Sequence, residues 1–276
     1  MPAAPQPRLI GLPYDGSSSF LRGAAEAPPL IRAALHSSHW NSWTEQGRDL
    51  TGALGDAGDL VLPPSSGAVR EIERGITQLL TDGARPVALG GDHSITYPIV
   101  RAIHRRHPAL TLLHIDAHSD LYDEFEGDRL SHACPFARIM EEHLARRLVQ
   151  VGIRTMNDHQ QRQADRFGVE VIDMSAWERG RRPTLEGEVY LSIDLDGIDP
   201  AFAPGVSHRE PGGLSVRDVI TLIQETGGTL VGADIVEYNP RADLSGITAT
   251  VAAKLVKEVA GRMLPTSATF PAPSRR

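Results

Sequence analysis

Short runs that are apolar almost throughout recur along the chain. They lie at residues 8–12, 86–89, 110–115, 148–153, 169–172, 188–193 and 229–236. Such runs are what strands buried on both faces of a parallel sheet require. Between them the apolar residues fall at helical spacing. Residues 67–81 place Val69, Ile72, Ile76, Leu79 and Leu80 on one face and stop at Gly83. Ser215 and Asp218 form a capping pattern before Val216, Val219, Ile220 and Ile223. Residues 247–264 read as a closing helix, with Lys254 and Lys257 outward, and 265–276 as a loose tail. Alternating β and α elements predict a three-layer α/β/α fold, with an open, mostly parallel sheet of about eight strands. One domain over residues 1–264 accounts for the pattern. Ligands of such sheets sit beyond the carboxyl ends of the strands.

Four of the strand runs end in acidic or imidazole groups. The run 86–89 leads into Gly90-Gly-Asp-His-Ser94, and 110–115 into Asp116-Ala-His-Ser-Asp120. The run 188–193 continues as Asp194-Leu-Asp196, and 229–236 precedes Glu237. Extended backbone turns alternate side chains to one face, so Asp116, His118 and Asp120 converge, as do Asp194 and Asp196. Carboxylates flanked by buried apolar residues are costly without a counter-ion. Asp199, before Pro200, reads as a turn residue, and Asp234 as a structural hydrogen-bonder.

Together His93, Asp116, His118, Asp120, Asp194 and Asp196 supply two imidazoles and four carboxylates. Two divalent cations balance that charge. Asp116 and Asp194 are the bridging candidates, setting the ions about 3.5–4 Å apart. Carboxylate with imidazole and no thiolate suits Mn(II) rather than structural zinc. A water between two such ions becomes a nucleophile near neutral pH. Asp120 ligates through one oxygen and holds that water's proton with the other. Glu237, an unpaired carboxylate beside them, fits a planar, fork-shaped cation such as a guanidinium. The rival two-metal chemistry is phosphoester hydrolysis, but the chain shows no glycine-rich phosphate loop. The remaining rival is a homologue that binds metal without turnover.

The formal charge of −7 argues against nucleic acid or an anionic membrane as partner. The single cysteine, Cys134, fits a reducing compartment. The first seven residues, Met-Pro-Ala-Ala-Pro-Gln-Pro, have no basic or apolar leader character, and no apolar run reaches spanning length. The expectation is a soluble cytoplasmic protein.

The motifs 90–94, 116–120 and 192–196 resemble the three metal-binding signatures of the ureohydrolase family, which includes arginases, agmatinases and formiminoglutamases. The resemblance runs from Gly11-Leu-Pro-Tyr-Asp-Gly-Ser-Ser-Ser-Phe-Leu-Arg-Gly23, with Ala27-Pro28 and Ile31-Arg32, to Val251-Ala-Ala-Lys-Leu255. It implies two manganese ions per subunit, one within His93, Asp116, Asp120 and Asp194 and the other within Asp116, His118, Asp194 and Asp196. It also implies Glu237 as the guanidinium-orienting group and His132 as a proton shuttle. Ala133 stands where the family pattern has glycine. The stretches 124–127, 131–133, 136–140 and 203–214 look like the plant-type arginases and their bacterial relatives. L-Arginine is therefore the first expected substrate, then agmatine, then a guanidino acid or formiminoglutamate. The acidic loop Asp123, Glu124, Glu126 and Asp128 favours a cationic tail; Arg129, His208 and Arg209 are candidates to hold a carboxylate. Asn157, matching an amine-binding aspartate of animal arginases, is expected to line the pocket. The family commonly forms trimers or hexamers, so a homo-oligomer is expected.

Overall fold

The computed structural model describes residues 5–265, so most of the expected tail lies outside the described residues. The elements in order are β1 (Gln6–Gly11), α1 (Ala27–Leu35), β2 (Gly55–Asp59), α2 (Gly67–Thr81), β3 (Ala84–Leu89), α3 (Thr96–His104), β4 (Thr111–Ile115) and α4 (Pro135–Glu141). They continue as β5 (Arg147–Val151), α5 (Asp158–Phe167), β6 (Glu170–Ile172), α6 (Met174–Glu178), β7 (Glu188–Asp194), α7 (Val216–Glu225), β8 (Thr229–Val236) and α8 (Ile247–Met263). Among the described residues no helix is long and apolar enough to cross a membrane.

The strands form one eight-stranded sheet, ordered β2-β1-β3-β8-β7-β4-β5-β6, and every pairing is parallel. Alternation along each strand feeds two cores. Val87, Leu113, Leu191 and Ile193 face a core shared with α1, α7 and α8. Ala88, Leu112 and Tyr190 face a second core shared with α2, α3 and α4. Because both faces are covered, the central strands carry no polar face. That is why their runs read as continuously apolar.

The strand β2 was absent from the expected set. Its sequence, Gly-Asp-Ala-Gly-Asp, has no apolar run, and most of it is exposed at the sheet edge. Its position depends on partners distant in sequence. It pairs with β1, and Arg32 of α1 bonds Asp56 Oδ2 at 2.7 Å and also pairs with Asp59. Neither signal is visible in a local window.

The strands β3 and β4 are consecutive in sequence, yet β8 and β7 lie between them. Such a divergence opens a crevice at the carboxyl edge. All four sequence-identified motifs emerge from these four strands.

Candidate metal centre and substrate cleft

Each functional side chain leaves its strand through a turn. His93 opens a 3-10 turn, His93–Ile95, after β3. Gly91 precedes it, with its missing Cβ in the path of the Tyr14 carbonyl, only 1.8 Å away. Asp194 ends β7 and accepts the Asp196 N–H at 2.8 Å, starting the turn Leu195–Gly197. Asp120 (φ 48°) and Glu237 (φ 63°) adopt left-handed backbone. That conformation is uncommon for residues other than glycine and costs of the order of 1–3 kcal/mol. Convergence of these groups thus comes partly from turns, not from strand alternation continued through residue 120 or 196.

His93 Nδ1 lies 3.2 Å from Asp116 Oδ2, 3.1 Å from Asp120 Oδ2 and 3.0 Å from Asp194 Oδ2. Nevertheless this buried nitrogen makes no well-directed hydrogen bond. The other ring nitrogen explains why. Asp234 is buried and accepts hydroxyl protons from Thr96 (2.8 Å), Tyr190 (2.6 Å) and Ser192 (2.7 Å). Since Ser192 donates to Asp234, its oxygen accepts from His93 Nε2–H at 2.9 Å. In the neutral ring Nδ1 is therefore a bare lone pair facing three carboxylates. A lone pair and three anionic oxygens are satisfied together by a cation. The donor set fits a divalent metal.

A second group joins the first through Asp116. His118 Nδ1 lies 3.4 Å from Asp116 Oδ1 and 3.2 Å from Asp196 Oδ2. His114, which sequence reasoning missed, supports the shared residue. Its Nδ1 accepts from Gln150 Nε2 at 3.0 Å, so its Nε2–H donates to Asp116 Oδ2 at 2.7 Å. The available signal was a histidine inside an otherwise apolar strand, two residues before Asp116.

The electrostatics express the same excess of negative charge. Burial, then Asp196 and Asp116, push Asp194 well above the usual carboxylate range. Burial and Asp116 push Asp196 to about 7. Burial opposes charge on His118, but Asp196 and Asp116 outweigh it and lift the imidazole to about 12. Without cations, the cluster draws protons to replace them.

Above the cluster lies a cleft of about 170 Å³ lined by Asp120, His118, Asp194 and Asp196 at its floor, with Glu237 and His132 beside them. Glu237 Oε1 accepts from His93 N–H and from His132 Nδ1, each at 2.9 Å. Its Oε2 has no hydrogen-bond partner among the described residues. His132 Nε2 accepts the Ser19 N–H at 3.2 Å, which places the neutral ring's proton on Nδ1. Burial opposes a charge on His132, but Glu237 outweighs it and lifts the ring to about 9. Dications in the adjacent cluster act in the opposite sense. Ser19 lies in the stretch 11–23 that shares the family resemblance but had been given no role; Asp92 brings its loop in by accepting Ser17 N–H at 2.9 Å.

His208 lines the cleft, as do Tyr122, Phe125 and Gln160, which the sequence had not singled out. Asn157 does not line it. Its side chain is exposed and committed to capping α5, accepting Gln160 N–H at 3.0 Å and donating to Tyr122 OH at 2.6 Å. The two Arg candidates are also absent from the cleft. Arg129 reaches Glu141 at 2.8 Å, and Arg209 reaches the Pro204 carbonyl at 2.8 Å.

A model of the arginase family matches residues 6–261. The chain belongs to the arginase family. Arginase 1, mitochondrial, of Arabidopsis thaliana is 46% identical over 92% of this chain and 80% of its own length. The structure of arginase from Medicago truncatula superimposes with a TM-score of 0.90 at 43% identity, covering 95% of this chain and 89% of that one. Guanidinobutyrase of Pseudomonas aeruginosa is 35% identical over 91% of this chain and 84% of its own. The eight-stranded parallel sheet and the buried His/Asp cluster are those of an arginase-family protein.

Proposed function

We propose that this protein hydrolyses the guanidinium group of L-arginine, giving urea and L-ornithine. The observation that carries the reading is His93 Nδ1, a buried lone pair within 3.2 Å of three carboxylates, beside a free Glu237 oxygen. His93, Asp116, Asp120 and Asp194 would hold one divalent cation, and Asp116, His118, Asp194 and Asp196 the other; Mn(II) suits their chemistry. When bound there, the cations lower the pKa of water and offset developing negative charge.

The protein's own groups do the rest. Glu237 Oε2 accepts guanidinium N–H bonds and so turns the planar group toward the cluster floor. Asp120, in its left-handed turn, keeps one oxygen toward His93 and the other free to accept the water's proton. Water adds to the guanidinium carbon, and collapse of the resulting tetrahedral carbon breaks its bond to the amine. His132, on the cleft wall beside Glu237, supplies the proton the leaving amine needs.

L-Arginine is placed first because the plant relatives named arginase share the highest identities reported above. Agmatine and guanidino acids follow. A cytoplasmic location and a trimeric or hexameric assembly belong to the same reading. The lone buried cysteine suits the former; Leu244 and Ile247, exposed at the start of α8, support the latter.

The test is a panel assay on Mn(II)-loaded protein, measuring urea or formamide from arginine, agmatine, 4-guanidinobutyrate and formiminoglutamate. Urea with ornithine from arginine is expected. Stoichiometrically loaded protein that releases neither product from any of them overturns the hydrolase reading.

A further inference from the structure

The far end of the cleft carries a specific chemistry. No lysine or arginine lines it. The acidic loop is turned away as well: Asp123 pairs with His159 at 2.9 Å, and Asp128 holds Leu130 N–H at 2.7 Å. Of residues 121–131, only Tyr122 and Phe125 line the cleft. The acidic side chains that do line it are Asp120, Asp194, Asp196 and Glu237, all at the reacting end.

Gln160 lines the same cleft, makes no hydrogen bond to the cluster, and is only 6% exposed. It is the third residue of α5, in a capping box with Asn157. Its Oε1 accepts the Asn157 N–H at 3.2 Å. A backbone N–H bonds only to an acceptor, so this contact fixes which way the amide faces. The Nε2 group then presents two N–H donors, with no partner among the described residues. Tyr122 adds to the donor character. Its hydroxyl accepts from Asn157 Nδ2 at 2.6 Å, which leaves its own proton for an acceptor. Its ring is held by stacking on His159, at 5.5 Å and 12°.

We infer that Gln160 is the residue that reads the substrate's tail: its side-chain amide donates to a carboxylate, and the cleft thereby selects carboxylate-tailed guanidino compounds over those ending in an ammonium. The inference rests on the hydrolase reading and narrows its substrate class. An ammonium at this end meets donors and gains no acceptor. A carboxylate meets the Gln160 N–H pair and the Tyr122 hydroxyl. Asn157 is a positioning residue in this scheme, aiming both groups without touching substrate. A site built to hydrogen-bond one group discriminates strongly against an analogue that leaves its donors unpaired.

The test is Gln160→Glu. Glutamate keeps the capping box, because a carboxylate oxygen still accepts the Asn157 N–H, but it replaces the free donors with an acceptor. Steady-state kinetics on Mn(II)-loaded enzyme compare L-arginine, 4-guanidinobutyrate and agmatine. KM should rise at least ~10-fold for 4-guanidinobutyrate and fall for agmatine, with kcat little changed, and L-arginine, whose tail carries both a carboxylate and an ammonium, should shift less than 4-guanidinobutyrate. Calorimetry on the same protein should show 4-aminobutyrate binding weakened and putrescine binding strengthened. Gln160→Met, which has neither donor nor acceptor, should weaken the carboxylate compounds without helping agmatine. Thermal unfolding checks that both variants fold. Equal shifts for all three compounds, or none, overturn the inference. Wild-type enzyme inactive on every guanidino compound overturns instead the hydrolase reading beneath it.

Discussion

Ser192→Ala separates metal binding from folding. The Ser192 hydroxyl sits between His93 Nε2 at 2.9 Å and Asp234 Oδ1 at 2.7 Å, fully buried. Removing it strands the His93 Nε2–H in a dry interior, at a cost of about 1–3 kcal/mol. It also frees the ring to place its proton on Nδ1, the nitrogen that faces the carboxylates. Loss of such an outer partner weakens metal binding about 10–100-fold, or roughly 1.4–2.8 kcal/mol. Calorimetric Mn(II) titration of chelator-stripped protein should show one site weakened by that factor and the other within about threefold of wild type. Tyr190→Phe is the control. It also removes a hydroxyl from Asp234, at 2.6 Å, but leaves His93 untouched. It should lower stability by about 1 kcal/mol and leave both metal affinities unchanged. Unaltered binding in Ser192→Ala, or equal weakening in Tyr190→Phe, refutes the relay.

Two further outcomes follow from buried titratable groups. In metal-free protein Glu237 lifts His132 against burial from 6.5 to about 9. The folded value is the higher one, so the stabilisation is fully present below pH 6.5 and is lost as pH rises through about 9. The stability gap between wild type and His132→Gln in urea should therefore narrow from pH 6 to pH 10, by up to roughly 3 kcal/mol; a constant gap contradicts the pairing. Cys134 is fully buried, and burial, with Asp120 adding, pushes its thiol up to about 12. A disulfide reagent at neutral pH should find no reactive thiol in the native protein and one after denaturation. Rapid labelling of the native state refutes this.

The central strands were legible because β3, β4, β7 and β8 are buried on both faces, and such strands declare themselves by composition alone. The edge strand β2 was not, since its placement depends on Arg32 and on pairing with β1. The same contrast governs the site. Asp116, Asp194 and Glu237 follow strand ends directly and could be placed from pattern. Ser19 reaches His132 from 113 residues away, and although its stretch shares the family resemblance, no local pattern reveals that contact. Asn157 illustrates the opposite error. Its position in the chain was informative, but the capping box turns its amide to the backbone of α5 and gives the cleft to Gln160.

Strand alternation accounts only in part for how these side chains come together. Ideal alternation ends with β4 at Ile115 and with β7 at Asp194. Beyond those points the groups converge because the chain accepts unfavourable backbone at Asp120 and Glu237. Each left-handed residue costs about 1–3 kcal/mol, and the buried carboxylates add repulsion that lifts Asp194 and Asp196. A sheet packed on both faces supplies the rigidity to hold such an arrangement. The strained turns therefore belong to the site: relaxing Asp120 or Glu237 toward ordinary backbone would ease the fold while dispersing the groups that face the guanidinium.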